Sequence, residues 1–456
     1  MTVFFQFANL ESAVVEILTV SNLKKRSVSL QSYIARRFAP DKIRFYCLVF
    51  LIANVALVAL RFTNSTSGQS AFGYPLARDY TAFYIAGKIA NERSFASAYD
   101  FDLQTREYHE LLPKEPPDSQ LPYVNPPFML AAFSVLSRLP YAWSFAAWLI
   151  ISFGAYAAGL WLLLRASPQL PDYARSTSLA LALAFPLYIV YCWGLGQLSS
   201  IGVFCFALAI YLERTRRLLL CGLALSLCLY KPTLLILIGP MLIITRRFKA
   251  LAGLLIGSSA LIATSALLVG WRGLQQYALV LYSFQQWKAT ATTLAQTSLY
   301  VDVRTAFKPF IDAHPASQVV VLAVYVGGLL LLAWAWWRLG RNSFALPLTI
   351  TWTLALNVYT PLYDASMLVI PAVLLADHLY SRDSKSLPYA FKAFILMLYI
   401  LSLSYPVLAN GWGFQVFTLL IIAFGIYQIR LLTFASSDLL VSERLQRIDS
   451  GCAARG

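Results

Sequence analysis

Charge is scarce in this chain. Aspartate, glutamate, lysine and arginine make up 12% of its 456 residues, about half the fraction usual in a soluble globular domain. The six cysteines, Cys47, Cys192, Cys205, Cys221, Cys228 and Cys452, show no CxxC or Cys/His metal spacing. Five lie in or beside apolar runs, so they read as small packing residues with no disulfide framework. Histidine is rare, and His109 and His314 stand alone in loops, more in keeping with solvated side chains than with ligands. No HExxH, GxSxG, P-loop or strand-borne GxGxxG occurs. No internal repeat, parallel or inverted, suggests the symmetry common in secondary transporters. The N-terminus lacks a cleavable signal pattern. Its first 42 residues carry Lys24, Lys25, Arg26, Arg36, Arg37 and Lys42, the makings of a basic cytoplasmic tail.

Apolar residues are abundant, at 59% of the chain with a mean hydropathy of +0.63, and they come in long leucine-rich runs. A run of about 20 apolar residues crosses a bilayer as a helix. Lipid satisfies no backbone group, so only helices or a closed barrel can span it. The runs lack the alternation of barrel strands. The expected fold is therefore all-α and polytopic, with about twelve spans at 43–61, 143–164, 177–193, 198–212, 218–230, 232–245, 250–269, 318–337, 344–360, 364–380, 389–408 and 412–429. The stretch 126–139 is short, ends near Arg138, and is expected to dip into the membrane without crossing. This divides the chain into a cytoplasmic tail 1–42, a transmembrane domain 43–429 and a second cytoplasmic tail 430–456.

The net charge of +15 sits in turns between the runs: Arg214, Arg216 and Arg217; Arg246, Arg247 and Lys249; Arg338 and Arg341; Arg382 and Lys385. The positive-inside rule makes these turns cytoplasmic, and no nucleic-acid-binding motif competes with that reading. The outer side then receives two long segments, 62–125 and 270–317, and short turns holding Gly194-Leu195-Gly196-Gln197, Lys231-Pro232-Thr233 and Thr360-Pro361-Leu362-Tyr363-Asp364. Polar residues with no evident solvation role thus collect on one face, as a site at a membrane surface would require.

Several of these residues admit two readings. Asp79 opens a stretch in which Phe83, Tyr84, Gly87 and Ala90 suggest an amphipathic helix along the bilayer. It is either that helix's N-cap or a functional carboxylate. Lys231 lies between two short apolar runs, at the outer edge of the membrane or slightly below it. It either snorkels outward or is a functional cation, because lysine is costly deeper in the bilayer. Gln197 sits in a turn allowed by Gly194 and Gly196, where its amide is either a polar loop tip or a hydrogen-bonding group for a sugar hydroxyl. Asp364 is either a span N-cap or part of a site. No acidic residues show a clear ligand spacing, so no metal site is assigned and a divalent metal requirement stays open.

The order of short motifs adds to this. Ala77-Arg78-Asp79-Tyr80 is followed by Ala98-Tyr99-Asp100, Tyr123-Val124-Asn125-Pro126-Pro127-Phe128, Leu139-Pro140-Tyr141, Trp148, Gly196-Gln197-Leu198-Ser199 and Lys231-Pro232 ahead of Arg246-Arg247. Over residues 75–270 this series resembles glycosyltransferase family 87, GT-C-type membrane enzymes that use polyprenyl-phosphate-linked sugars. The resemblance implies a sugar, with mannose the one it points to, moved from a polyprenyl-phosphate donor to a lipid- or glycan-linked hydroxyl on the outer, periplasmic or extracellular face of a bacterial-type plasma membrane. It implies inversion, with Asp79 as general base. Lys231, Arg78, Lys88 and Arg304 are then the candidate cations for the donor phosphate, and Tyr80, Tyr84, Asn125, Gln197, Tyr363 and Asp364 the candidates for contacting sugar or acceptor. Some family members carry histidine near Tyr363-Asp364 and this chain does not, so a histidine–phosphate contact is not expected. A multi-span transporter or flippase, or an assembly subunit without activity, would also suit the span count. The one-sided polar residues and missing repeat speak against transport.

Overall fold

The structure is a computed structural model that describes residues 39–62, 77–113, 121–290, 300–357, 359–382, 386–412 and 416–433. The described part is helical throughout, with one isolated antiparallel bridge between Tyr300 and Pro361. Most of the two tails lies outside the described residues. Among the described residues, seven helices are long and apolar enough to cross a membrane: Pro40–Phe62, Tyr141–Arg165, Asp172–Trp193, Phe248–Phe284, Gln318–Leu339, Leu362–Arg382 and Val416–Thr433. Shorter apolar helices, among them Pro127–Leu136, Leu218–Tyr230, Pro232–Ile244 and Ala345–Leu356, accompany them.

Burial divides these helices into two classes. Pro40–Phe62 buries 11% of its apolar window, whereas Leu362–Arg382 buries 89%. The first therefore faces its surroundings nearly all round, and the second is the centre of the bundle. Leu267, Trp271, Ile150 and Trp143 are exposed on the outer surface, which in water would be an adverse apolar belt and in lipid is the favoured face. Helix Tyr141–Arg165 packs along Ser199–Arg214, and Leu218–Ser226 packs along Phe248–Thr290. The latter is interrupted at Gly270, whose φ of 66° and ψ of 179° are not helical, where the span was expected to end, and a second helical stretch follows to Thr290. The polar composition after Gly270 concealed this second stretch.

Ion pairs close one end of the bundle. Arg214 bonds Asp377 at 3.3 Å, and Arg247 pairs with Glu213. Asp377 also accepts from the backbone N–H of Gln169 at 2.7 Å. Four stretches far apart in sequence are thereby fastened together.

Helix Arg78–Glu92 begins where the amphipathic pattern placed it. It packs on the ten-residue helix Pro127–Leu136. Gly87 makes the approach feasible, because a Cβ there would lie 2.3 Å from the carbonyl oxygen of Phe133. Asn91 Nδ2 donates to the Ser134 carbonyl at 2.6 Å one turn further on. Gly87→Ala should therefore force these helices apart and cost about 1–3 kcal/mol by overpacking, read as a lower thermal midpoint of the purified protein. Asp100 caps the next helix, Phe101–Leu111, accepting from the backbone N–H groups of Asp102 and Leu103. That accounts for the Tyr-Asp motif structurally.

Candidate active site

Four polar side chains named from the sequence lie at helix ends, and local backbone chemistry explains each placement. Lys231 precedes Pro232. A residue before proline is pushed out of the helical region, and Lys231 has φ −137° and ψ 87°. The apolar run is thus cut between Leu227–Tyr230 and Pro232–Leu235. The cut exposes carbonyls that need donors, and two asparagines supply them. Asn125 Nδ2 donates to the Tyr230 carbonyl and Asn357 Nδ2 to the Thr233 carbonyl, each at 3.2 Å. Asn125 is therefore a strut for the segment carrying Lys231, held in turn by Tyr99 Oη on its own carbonyl at 2.8 Å.

A second proline break places Asp364. Pro361 starts the 3₁₀ segment Leu362–Leu368, with Asp364 in its first turn. Ahead of it, Thr360 accepts from the Val301 N–H at 2.8 Å, and Tyr300 bridges Pro361. Asp302 is wholly buried beside this turn and accepts from the backbone and hydroxyl of Thr305, both at 2.9 Å.

Gln197 follows a π-helical turn, Leu187–Trp193, and a tight turn at Gly196 with φ 78°. A Cβ at Gly196 would meet Tyr80 Cβ at 2.9 Å, and the Gly196 carbonyl accepts from Trp148 Nε1 at 2.8 Å. The turn leads directly into helix Ser199–Arg214. Asp79 lies in the first turn of Arg78–Glu92, whose N-cap position is Ala77. Capping is therefore not its role. The Ala77 carbonyl is held by Tyr141 Oη at 3.0 Å. Tyr141, Trp148, Gly196 and Asn125, residues of the recurring motifs, thus all act as supports.

These placements converge. Gln197 Nε2 donates to Asp79 Oδ2 at 2.6 Å. Ser199 Oγ donates to Asp364 Oδ1 at 2.7 Å. Asp364 Oδ2 pairs with Lys231 Nζ. Gln197 and Ser199 are two residues apart, so this turn links Asp79 to the Asp364–Lys231 pair across about 7 Å of backbone. Lys231 Nζ also lies 4.7 Å from the ring centre of Tyr359 and 5.3 Å from that of Tyr363, within cation–π range. The charge of Asp79 reaches the phenols of Tyr300 and Tyr363. Burial pushes the Tyr300 phenol up to about 12, so near neutral pH it is a protonated hydrogen-bond donor.

Other residues named from the sequence lie elsewhere. Lys88 bonds Glu107 at 2.6 Å and approaches Glu92 at 3.9 Å. The Glu107 bond raises its pKa above the usual lysine value and ties helix Arg78–Glu92 to helix Phe101–Leu111. Tyr80 is fully buried among Phe83, Phe133, Phe145 and Trp148, and its hydroxyl is 2.7 Å from Ser144 Oγ. Tyr84 donates to the Leu139 carbonyl at 3.2 Å. Arg304 is exposed on the short helix Val303–Ala306. The side chain of Arg78 lies outside the described residues. Ser199, Tyr359, Tyr300 and Asp302 are site residues that sequence reasoning did not single out. Ser199 had one available signal, since it closes the Gly196-Gln197-Leu198-Ser199 motif.

A carboxylate oriented by an amide, close to a cation ringed by phenols, can take a proton and stabilise an anion in one reaction. Removing the amide separates these roles. Gln197→Leu should lower turnover about tenfold to hundredfold, the worth of a hydrogen bond to a charged group, with little change in acceptor KM in a steady-state assay. Among the described residues, no three His, Cys, Asp or Glu side chains gather as metal ligands would. The sequence model for glycosyltransferase family 87 matches residues 123–371, more than half of the chain. No curated protein and no solved structure matches.

Proposed function

The chain belongs to glycosyltransferase family 87, and we propose that it moves a sugar, with mannose the first to test, from a polyprenyl-phosphate donor to a hydroxyl on a lipid or glycan. Asp79 accepts the proton of the acceptor hydroxyl as its oxygen bonds to the anomeric carbon. The bond from that carbon to the phosphate oxygen breaks, and its electron pair leaves with polyprenyl phosphate. Attack opposite the leaving group inverts the anomeric centre. Lys231 carries three N–H donors, of which Asp364 engages one. The others are available to the phosphate as negative charge grows on it. Tyr359 and Tyr363 flank the ammonium, and Gln197 orients the base.

The observation that carries this reading is the convergence of Asp79–Gln197 with Ser199–Asp364–Lys231 at one short turn. The surroundings support the donor class. A polyprenyl tail needs an apolar surface next to the reacting phosphate, and the exposed apolar belt provides one. We further place the site on the outer face, because the basic turns at 214–217, 246–249 and 338–341 mark the opposite end as cytoplasmic. Twelve crossings with both termini cytoplasmic follow if Pro127–Leu136 does not cross. Its ten residues extend about 15 Å, half the thickness of the hydrocarbon core.

The test is incubation of the purified protein with a panel of polyprenyl-phosphate sugars and a total lipid extract, with products read by mass. A new sugar-bearing lipid or glycan supports the proposal. Absence of product across the panel, with turnover from a nucleotide sugar instead, would overturn it.

A further inference from the structure

The end of the bundle opposite Asp79 holds a cleft of about 640 Å³. Helix Ser199–Arg214 joins the two ends, and its 16 residues separate them by about 24 Å. The cleft is lined by six cations and, as its acid, Glu213. Glu213 is taken by Arg247, and Arg214 is taken by Asp377. Four cations remain on the lining, Arg216, Arg246, Lys249 and Arg341, all exposed and without an ion pair among the described residues.

Two of the four stand where the backbone disfavours them. Arg216 and Arg246 have φ of 63° and 56°, the only non-glycine residues with positive φ among those described. Both sit in the same helix-ending turn within the repeated tripeptides Thr215-Arg216-Arg217 and Thr245-Arg246-Arg247. Arg217 N–H reaches back to the Leu212 carbonyl and Arg247 N–H to the Leu242 carbonyl, each at 2.8 Å. Such a turn ordinarily has glycine at the left-handed position, and a side chain there costs roughly 1 kcal/mol. The third turn bordering the cleft does use glycine, at Gly340 with φ 51°. The positive-inside tendency explains why these turns are basic, but any lysine or arginine in them would satisfy it. It does not require arginine at two strained positions that aim into one cavity.

Clustered, unpaired arginines are suited to phosphate. The adjoining surface is apolar: Phe248 lines the cleft, and Leu219, Leu220 and Ile243 near it are exposed. We propose that this cleft binds the phosphate headgroup of an anionic phospholipid, with the acyl chains lying along that apolar surface. The assignment is independent of the transfer reaction and of its substrates.

The test uses the full chain purified in detergent and its R216G/R246G variant. Glycine relaxes the left-handed turns, so the variant should unfold at the same temperature as the parent or higher. Phosphatidylglycerol should raise the parent's thermal midpoint by ligand linkage, whereas phosphatidylcholine and inorganic phosphate should not. The variant should lose most of that shift and retain fewer phosphatidylglycerol molecules in native mass spectra. An equal shift in the variant, or an equal effect of phosphatidylcholine, would overturn the proposal. Inorganic phosphate reproducing the full shift would overturn the lipid assignment in favour of free phosphate.

Discussion

Asp79→Asn is expected to lower sugar transfer by roughly two to four orders of magnitude, the range associated with loss of a positioned general base. The substitution keeps the size of the side chain and an oxygen that can still accept from Gln197 Nε2, which lies 2.6 Å from Asp79 Oδ2. Asp79 does not cap its helix, since Ala77 occupies the N-cap. The fold should therefore survive, and membrane yield and thermal midpoint should stay near those of the parent. Loss of activity without loss of structure would isolate the proton-accepting role. Radiolabelled transfer in detergent, with the midpoint measured on the same preparation, checks both halves.

The second large effect concerns the Lys231–Asp364 pair. Asp364 is 1% exposed and Lys231 13%. Replacing lysine with methionine leaves a buried carboxylate without its cation, which should cost about 3–5 kcal/mol. Lys231→Met alone would thus lose both activity and stability, and its activity would say little about mechanism. The double variant Lys231→Met/Asp364→Asn removes both charges while Ser199 keeps a hydrogen-bonding partner. Its stability should return most of the way to the parent value. Activity should stay at least a hundredfold down, because no cation remains to stabilise the leaving phosphate. Recovery of activity together with stability would mean that the pair only holds helices together. Thermal unfolding and transfer rates on the three proteins distinguish the cases.

Much of the architecture was legible because lipid leaves so few options. Runs such as 143–164 and 318–337 announce helices without any propensity argument, and helices Tyr141–Arg165 and Gln318–Leu339 occupy them. Helix breaks were legible where proline made them, at Lys231-Pro232 and Thr360-Pro361. The same breaks deliver Lys231 and Asp364 to the site. Partners were harder to read. Ser199 and Asp364 are 165 positions apart, and no local pattern announces such a contact. Lys88 looked available as an outer-side cation because Glu107, its partner 19 positions on, approaches only through the packing of two short helices. Tyr80 carries a polar tip that suggests a ligand, yet Ser144 satisfies it inside an aromatic cluster. The helical stretch that follows Gly270 was hidden for a different reason. Its glutamines, threonines and aromatic residues lack the apolar monotony that marks a span, so composition suggested a loop.

The most direct measurement of the central claim is the anomeric configuration of the product formed from a β-linked polyprenyl-phosphate mannose by the parent protein and by Asp79→Asn. The account predicts an α-linked product, formed by the parent and nearly absent with Asp79→Asn under the same conditions. A β-linked product, or undiminished transfer by Asp79→Asn, would contradict it.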